Sequence, residues 1–129
     1  DDCLAACPWN KFAVEAREIK LQARDDLKAP ELKDLLLLDD AAFRTFFSGS
    51  PVKRIGRNRF MRNLLIAAGN SGLEELVPYV QAHLSDIDPV VRGSAIWALK
   101  QMLPLADFSK LRDEICPKET DQTVIAEWN

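Results

Sequence analysis

Apolar residues along this chain recur at intervals of three and four, the spacing that lines one face of an α-helix. Sustained two-residue alternation is missing, as are the Asn-Gly and Asp-Gly pairs that close hairpins, so no strands are expected. Residues 31–38 read as a short helix after the break at Ala29-Pro30. Asp39 or Asp40 can cap the next helix, which buries Phe43, Phe46 and Phe47. Ser50-Pro51 starts another, with proline at the first helical position, where a missing N–H is harmless. Gly56 interrupts it, and a helix over 57–68 follows with an apolar stripe of Phe60, Met61, Leu64, Leu65, Ala67 and Ala68. Arg59 and Arg62 project away from that stripe. Gly69-Asn70-Ser71-Gly72 reads as its stop. Helices over 73–84, 89–102, 107–115 and 121–129 complete the chain, the second of these capped by Asp88 and led by Pro89. Residues 13–28, rich in charge with scattered apolar positions, predict a surface helix or a strap.

Part of this pattern repeats. Asp88-Pro89-Val90-Val91-Arg92-Gly93-Ser94-Ala95-Ile96-Trp97-Ala98-Leu99 has an echo thirty residues earlier, from Arg62 to Ala68. A second echo, from Asp121 to Trp128, lies thirty-three residues later. Spacings of this size mark helical repeats, which bury their faces against each other. The pattern resembles HEAT repeats, and each echo would be the second helix of an antiparallel pair. The expected fold is all-α: a HEAT-like α-solenoid with a non-repetitive N-terminal arm. Trp97 is expected in the core, and Ala95 and Ala98 would let neighbouring helices approach closely. Arg92 is expected in an ion pair, either with Asp88 within its helix or between repeats.

Charge adds a function class to this frame. The net charge is −3, yet residues 41–73 contain no acid and hold Arg44, Lys53, Arg54, Arg57, Arg59 and Arg62. That segment is +6, so the remainder carries −9. Lys53, Arg54, Arg57, Arg59 and Arg62 fall within ten residues, beside Gly56 and a helix start. Guanidinium forks, a glycine that admits close approach and a positive helix end all suit phosphate oxygens. A solvated helix face would have the same composition, so nucleic-acid binding by these five residues is an expectation to be tested. Apolar runs stay far below the length of a membrane span, and no basic-then-apolar leader is visible. A soluble, cytoplasmic, monomeric protein is expected. His83 is the only histidine, and no nucleophile–base pair or phosphate-cradling glycine loop is evident. No catalytic residue is proposed from this sequence.

The first eleven residues carry different chemistry. Cys3 and Cys7 are four apart, and Cys7 precedes Pro8. Cys-Pro closes the cysteine run of bacterial-type ferredoxins, in which thiolates hold 4Fe–4S clusters. A further cysteine upstream would be needed, so the chain reads as a C-terminal piece that starts within its last cluster motif. Cys116 stands apart and is expected to be a structural thiol.

Taken together, Asp1-Asp2-Cys3-Leu4-Ala5-Ala6-Cys7-Pro8-Trp9-Asn10-Lys11-Phe12, the run from Phe47 through Gly56-Arg57, the run from Arg62 to Ser71, and Pro89-Val90-Val91-Arg92-Gly93 with Ala95, Trp97, Ala98 and Leu99 resemble the C-terminal region of the epoxyqueuosine reductase family. The resemblance implies a longer parent with a cobalamin-binding catalytic domain and a domain holding two 4Fe–4S clusters. Its reaction is the last step of queuosine synthesis, removal of the epoxide oxygen at the wobble base of tRNA. It implies that Cys3 and Cys7 are metal ligands, one for each cluster. Residues 1–30 would be the tail of the ferredoxin-like domain with a connecting arm, and residues 31–129 the HEAT-like domain gripping the tRNA anticodon stem-loop. With only two of eight cluster thiolates the piece alone is expected to bind no native cluster, and with the cobalamin site and catalytic acid also missing it is expected to be inactive. A protein–protein adaptor is the alternative from another class; it would show an apolar groove rimmed by mixed charge instead of a basic face.

Overall fold

The computed structural model of the chain describes residues 2–14, 17 and 24–129, and every regular element among them is helical. These are α1 (Asp2–Ala5), α2 (Leu32–Leu36), α3 (Asp40–Phe46), α4 (Arg57–Ser71), α5 (Val77–Ala82), α6 (Pro89–Met102), α7 (Leu105–Ile115) and α8 (Gln122–Glu127), joined by short 3-10 turns. Half of the helix or strap expected over 13–28 lies outside the described residues. Its described end forms a 3-10 turn at Asp25–Leu27. There Arg24 donates to the carbonyls of Ser48 at 2.8 Å and Phe46 at 3.2 Å, tying the arm to the end of α3.

Side-chain caps set where the helices begin. Asp39 accepts from the Ala42 N–H at 2.7 Å, Asp88 from Val90 at 2.9 Å and Asp121 from Thr123 at 2.8 Å. Each carboxylate satisfies a donor that a helix start leaves unpaired. Ser50 does the same for Val52 ahead of the 3-10 turn Pro51–Ile55. The segment 73–84 is not one helix. It divides into 3-10 turns at Glu74–Leu76 and His83–Ser85 around α5; at the first of these, Pro78 lacks the N–H that a continuous helix would direct to the Glu74 carbonyl.

The stop of α4 also differs from expectation. The helix runs through Gly69 and ends at Gly72, whose φ of 65° makes the left-handed cap. Gly69 instead serves packing: a Cβ there would lie 2.9 Å from the Ala98 Cα and 2.9 Å from the Trp97 ring. This close approach sets α4 against α6. On its other side α6 packs against α8, so the three helices of the echoed pattern are neighbours in space. Helices α2 and α5 and the His83–Ser85 turn lie against this row.

The core follows the apolar stripes. Met61, Leu64, Leu65 and Ala68 of α4 meet Val91, Ala95, Ile96, Ala98 and Leu99 of α6. Val124 and Trp128 close it at the C-terminal end, and Phe43, Phe47 and Phe60 cluster at the other with ring centroids 4.8–5.3 Å apart. Phe46 is partly buried beside them. Ala67, expected in the stripe, is exposed, since it lies about 110° around the helix from the centre of the buried positions. Trp97 and Cys116 are half-buried against the core.

Candidate nucleic-acid interface

The five candidate cations separate into three settings. Lys53 and Arg54 stand exposed on the 3-10 turn that Ser50 caps, beside an open groove of about 400 Å³. Arg59 and Arg62 are exposed on the outer face of α4, along a second groove of about 510 Å³. None of these four makes an ion pair among the described residues. Arg57 is different. Its Nη1 donates to Asp86 at 2.5 Å and its Nε to the Leu38 carbonyl at 3.3 Å. The two charged side chains are only 14% and 8% exposed. Asp86 lies twenty-nine residues on, so the local run of bases gave no sign that Arg57 would turn inward.

Gly56 makes the second groove possible. Its φ of 77° and ψ of 160° lie where residues with a Cβ are strained, and that turn lets α4 start directly after the 3-10 turn. No side chain caps α4, so its first N–H groups and the positive end of its dipole face the groove edge. Two carboxylates also line this groove, and both are committed. Asp40 receives the Arg44 Nε at 2.6 Å; Asp88 caps α6 and accepts from Asn58 at 2.6 Å. Asp88 has no cationic partner among the described residues, so its charge offsets one of the two free guanidinium groups, Arg59 and Arg62, and the groove keeps a positive charge. Arg44 and Asn58 are groove residues that the candidate set lacked; Arg44 was visible as part of the acid-free segment.

Behind the groove sits a buried polar cluster. The Nε2–H of His83 donates to the Leu36 carbonyl at 2.9 Å, and its Nδ1 is 3.8 Å from Asp86. Burial pushes the His83 imidazole below its ordinary value, and nearby Arg57 adds to this. For Asp86 burial acts upward, but the Asp88 N–H and the Arg57 guanidinium outweigh it and hold the carboxyl below its usual range. A neutral imidazole, a carboxylate and a guanidinium thus lock α2, the start of α4 and the His83–Ser85 turn together.

Of the two expected pairings, Arg92 makes the one beyond its own helix. It forks onto Glu119 at 2.7 and 2.9 Å and also donates to the Asp86 carbonyl at 2.9 Å. The Arg92 hydrogen bond lowers Glu119 to about 2. Cys3 is exposed on α1, and Cys7 is partly buried just beyond it. No group of three or more metal-capable side chains occurs among the described residues. Two thiolates are half the set that one 4Fe–4S cluster takes, so the residues present do not make a complete cluster site. No helix among the described residues is long and apolar enough to cross a membrane.

No family model matches the chain. It is similar to the epoxyqueuosine reductase of Xanthomonas campestris pv. campestris, with 38% identity over 102 residues, covering 78% of this chain and 29% of that protein. The epoxyqueuosine reductase of Escherichia coli K12 is 31% identical over 103 residues, covering 80% of this chain and 27% of that protein. A selenomethionine-labelled epoxyqueuosine reductase of known crystal structure superposes with a TM-score of 0.85 over 98% of this chain and 34% of its own length. At 24% identity, that likeness is one of fold. The chain spans less than a third of the length of the curated relatives it matches. It is related by sequence to a segment of the epoxyqueuosine reductases and shares its fold with one of them.

Proposed function

We propose that this chain is the C-terminal, tRNA-gripping part of an epoxyqueuosine reductase. The whole enzyme would be an oxidoreductase that converts epoxyqueuosine to queuosine at the tRNA wobble position, drawing on 4Fe–4S clusters and cobalamin. Residues 1–30 would end its iron–sulfur domain, with Cys3 and Cys7 supplying two thiolates in the longer protein. Residues 31–129 would be a HEAT-like array; the side-by-side packing of α4, α6 and α8 supports that reading.

The role of this chain's own residues is to hold the anticodon stem-loop by its phosphates. Arg59 and Arg62 supply two unpaired guanidinium forks on the first turns of α4, and Lys53 and Arg54 extend the cationic surface along the preceding turn. Arg57 acts from behind, fixing the start of α4 through Asp86. Backbone contacts of this kind position an RNA without reading its sequence. The observation that carries the proposal is the pair of guanidinium groups, Arg59 and Arg62, that line one groove without an ion-pair partner among the described residues.

Phosphate neutralisation releases bound counterions, so affinity should fall steeply with salt. For about four phosphate contacts, raising salt from about 50 to 200 mM should weaken binding of an anticodon stem-loop RNA by roughly 50- to 150-fold. An anisotropy titration at the two salt concentrations measures this. Affinity that does not change with salt would contradict the proposal.

A further inference from the structure

Beside the basic groove, α4, α6 and α8 frame a mostly apolar groove of about 370 Å³. The two grooves adjoin, because Val90 lines both. On α4 the residues Arg59, Arg62 and Ile66 fall within about 60° of arc, so the unpaired cations and the apolar wall share one face. Trp97 forms the wall from α6, its ring edge set against Gly69. Glu127 reaches across from α8, its Cγ 3.5 Å from where a Cβ on Gly93 would stand.

Apart from the Trp97 indole N–H, the polar side-chain atoms of this groove present acceptors. Ser94 spends its hydroxyl proton on the Val90 carbonyl at 2.7 Å. Thr123 spends its own on Asp121 at 2.5 Å. Glu127 is exposed, with no ion-pair partner among the described residues. A ligand that fits must be anionic at the arginine end, flat and apolar in the middle, and a hydrogen-bond donor at the glutamate end. A basic peptide meets Arg59 and Arg62 unfavourably, and an acidic one meets Glu127.

We propose that this groove seats one unpaired nucleobase of the RNA whose phosphates Arg59 and Arg62 hold, and that it selects a base bearing an exocyclic amino group. This rests on the RNA reading above. The base stacks against Trp97, as bases do on aromatic platforms. Its amino group donates to Glu127 and to the Ser94 or Thr123 oxygen. Uracil has no amino group: its single donor, N3–H, lies between two carbonyl oxygens that stand against the Glu127 carboxylate.

Two 5′-labelled pentanucleotides, oligo-A and oligo-U, titrated into the chain at one low salt concentration, test this. Oligo-A should bind about tenfold more tightly, the scale of one hydrogen bond to a charged group that adenine makes and uracil does not. Glu127→Gln, which puts an amide donor where the carboxylate stood, should remove most of that preference, and Trp97→Leu, which takes away the platform on which either base stacks, should weaken both RNAs. Glu127→Gln alters an exposed side chain, so it remains informative if Trp97→Leu loosens the α4–α6 contact. Equal affinities in the native chain, or a preference that survives Glu127→Gln, would overturn the base seat. Equal affinities abolished by Arg59→Glu/Arg62→Glu would overturn it and leave the phosphate grip standing; binding of neither RNA would remove both. An apolar helical peptide that occupies the groove and is displaced by neither RNA would overturn it in favour of a protein partner.

Discussion

Arg57 and Arg59 are two residues apart, and the fold sets them to different tasks. Arg57 is held between Asp86 and the Leu38 carbonyl, whereas Arg59 points to solvent along a groove. Arg57→Ala should therefore destabilise the chain by about 1–3 kcal/mol in urea unfolding, because it leaves a buried carboxylate without its donor. Arg59→Ala should change stability by less than about 0.5 kcal/mol. Equal losses would mean that Arg57 is not structural. The Arg92–Glu119 pair gives a pH prediction. Glu119 titrates at about 2 in the folded chain against an ordinary 4.5, so the stabilisation is complete above 4.5 and is lost as pH falls through that window. Thermal melts between pH 7 and 2 should show a loss in this range, and Glu119→Gln should flatten it. An unchanged profile in the variant would place the acid sensitivity elsewhere.

At the scale of elements, the contact between α4 and α6 depends on having no side chain at Gly69. A Cβ there meets the Ala98 backbone, which cannot rotate away, so Gly69→Val should cost about 1–3 kcal/mol and lower the melting temperature. A fully stable variant would show that the helices can separate at little cost. Removing a cap is milder: Asp88→Ala should cost about 1 kcal/mol, read in the same unfolding assay. Element starts were legible in the sequence because caps are local. Ser50 and Asp88 cap as read, Asp39 is the one of the two candidate aspartates that caps α3, and Asp121, expected as the first residue of its helix, caps it instead. Gly69 misled because a glycine that admits a neighbouring helix looks the same as one that ends its own. Pro78 divided a segment whose apolar periodicity ran on without interruption. The exposure of Arg59 and Arg62 followed from helical periodicity alone, whereas the inward turn of Arg57 depends on Asp86, and nothing within a helical turn reveals a partner at that separation.

At the scale of the molecule, an acidic chain of net charge −3 presents, among the described residues, a cationic region built from the turn before α4 and the first turns of that helix. The buried His83–Asp86–Arg57 cluster holds that region in place from within, and the apolar groove continues it across α6 to α8. Relatedness to epoxyqueuosine reductases makes a structured RNA the partner to test first. The most direct measurement is the affinity of the chain for an anticodon stem-loop RNA at low salt, compared with Arg59→Glu/Arg62→Glu and with a control, Lys110→Glu/Arg112→Glu, that makes the same charge change on α7. Each cation of the control is exposed and already paired with an aspartate, Asp107 or Asp113. The expected result is a loss of at least about tenfold for the α4 variant and little change for the control. Equal weakening of both would reduce the interaction to net charge, and unchanged binding in the α4 variant would contradict the assignment of the RNA-gripping surface to α4.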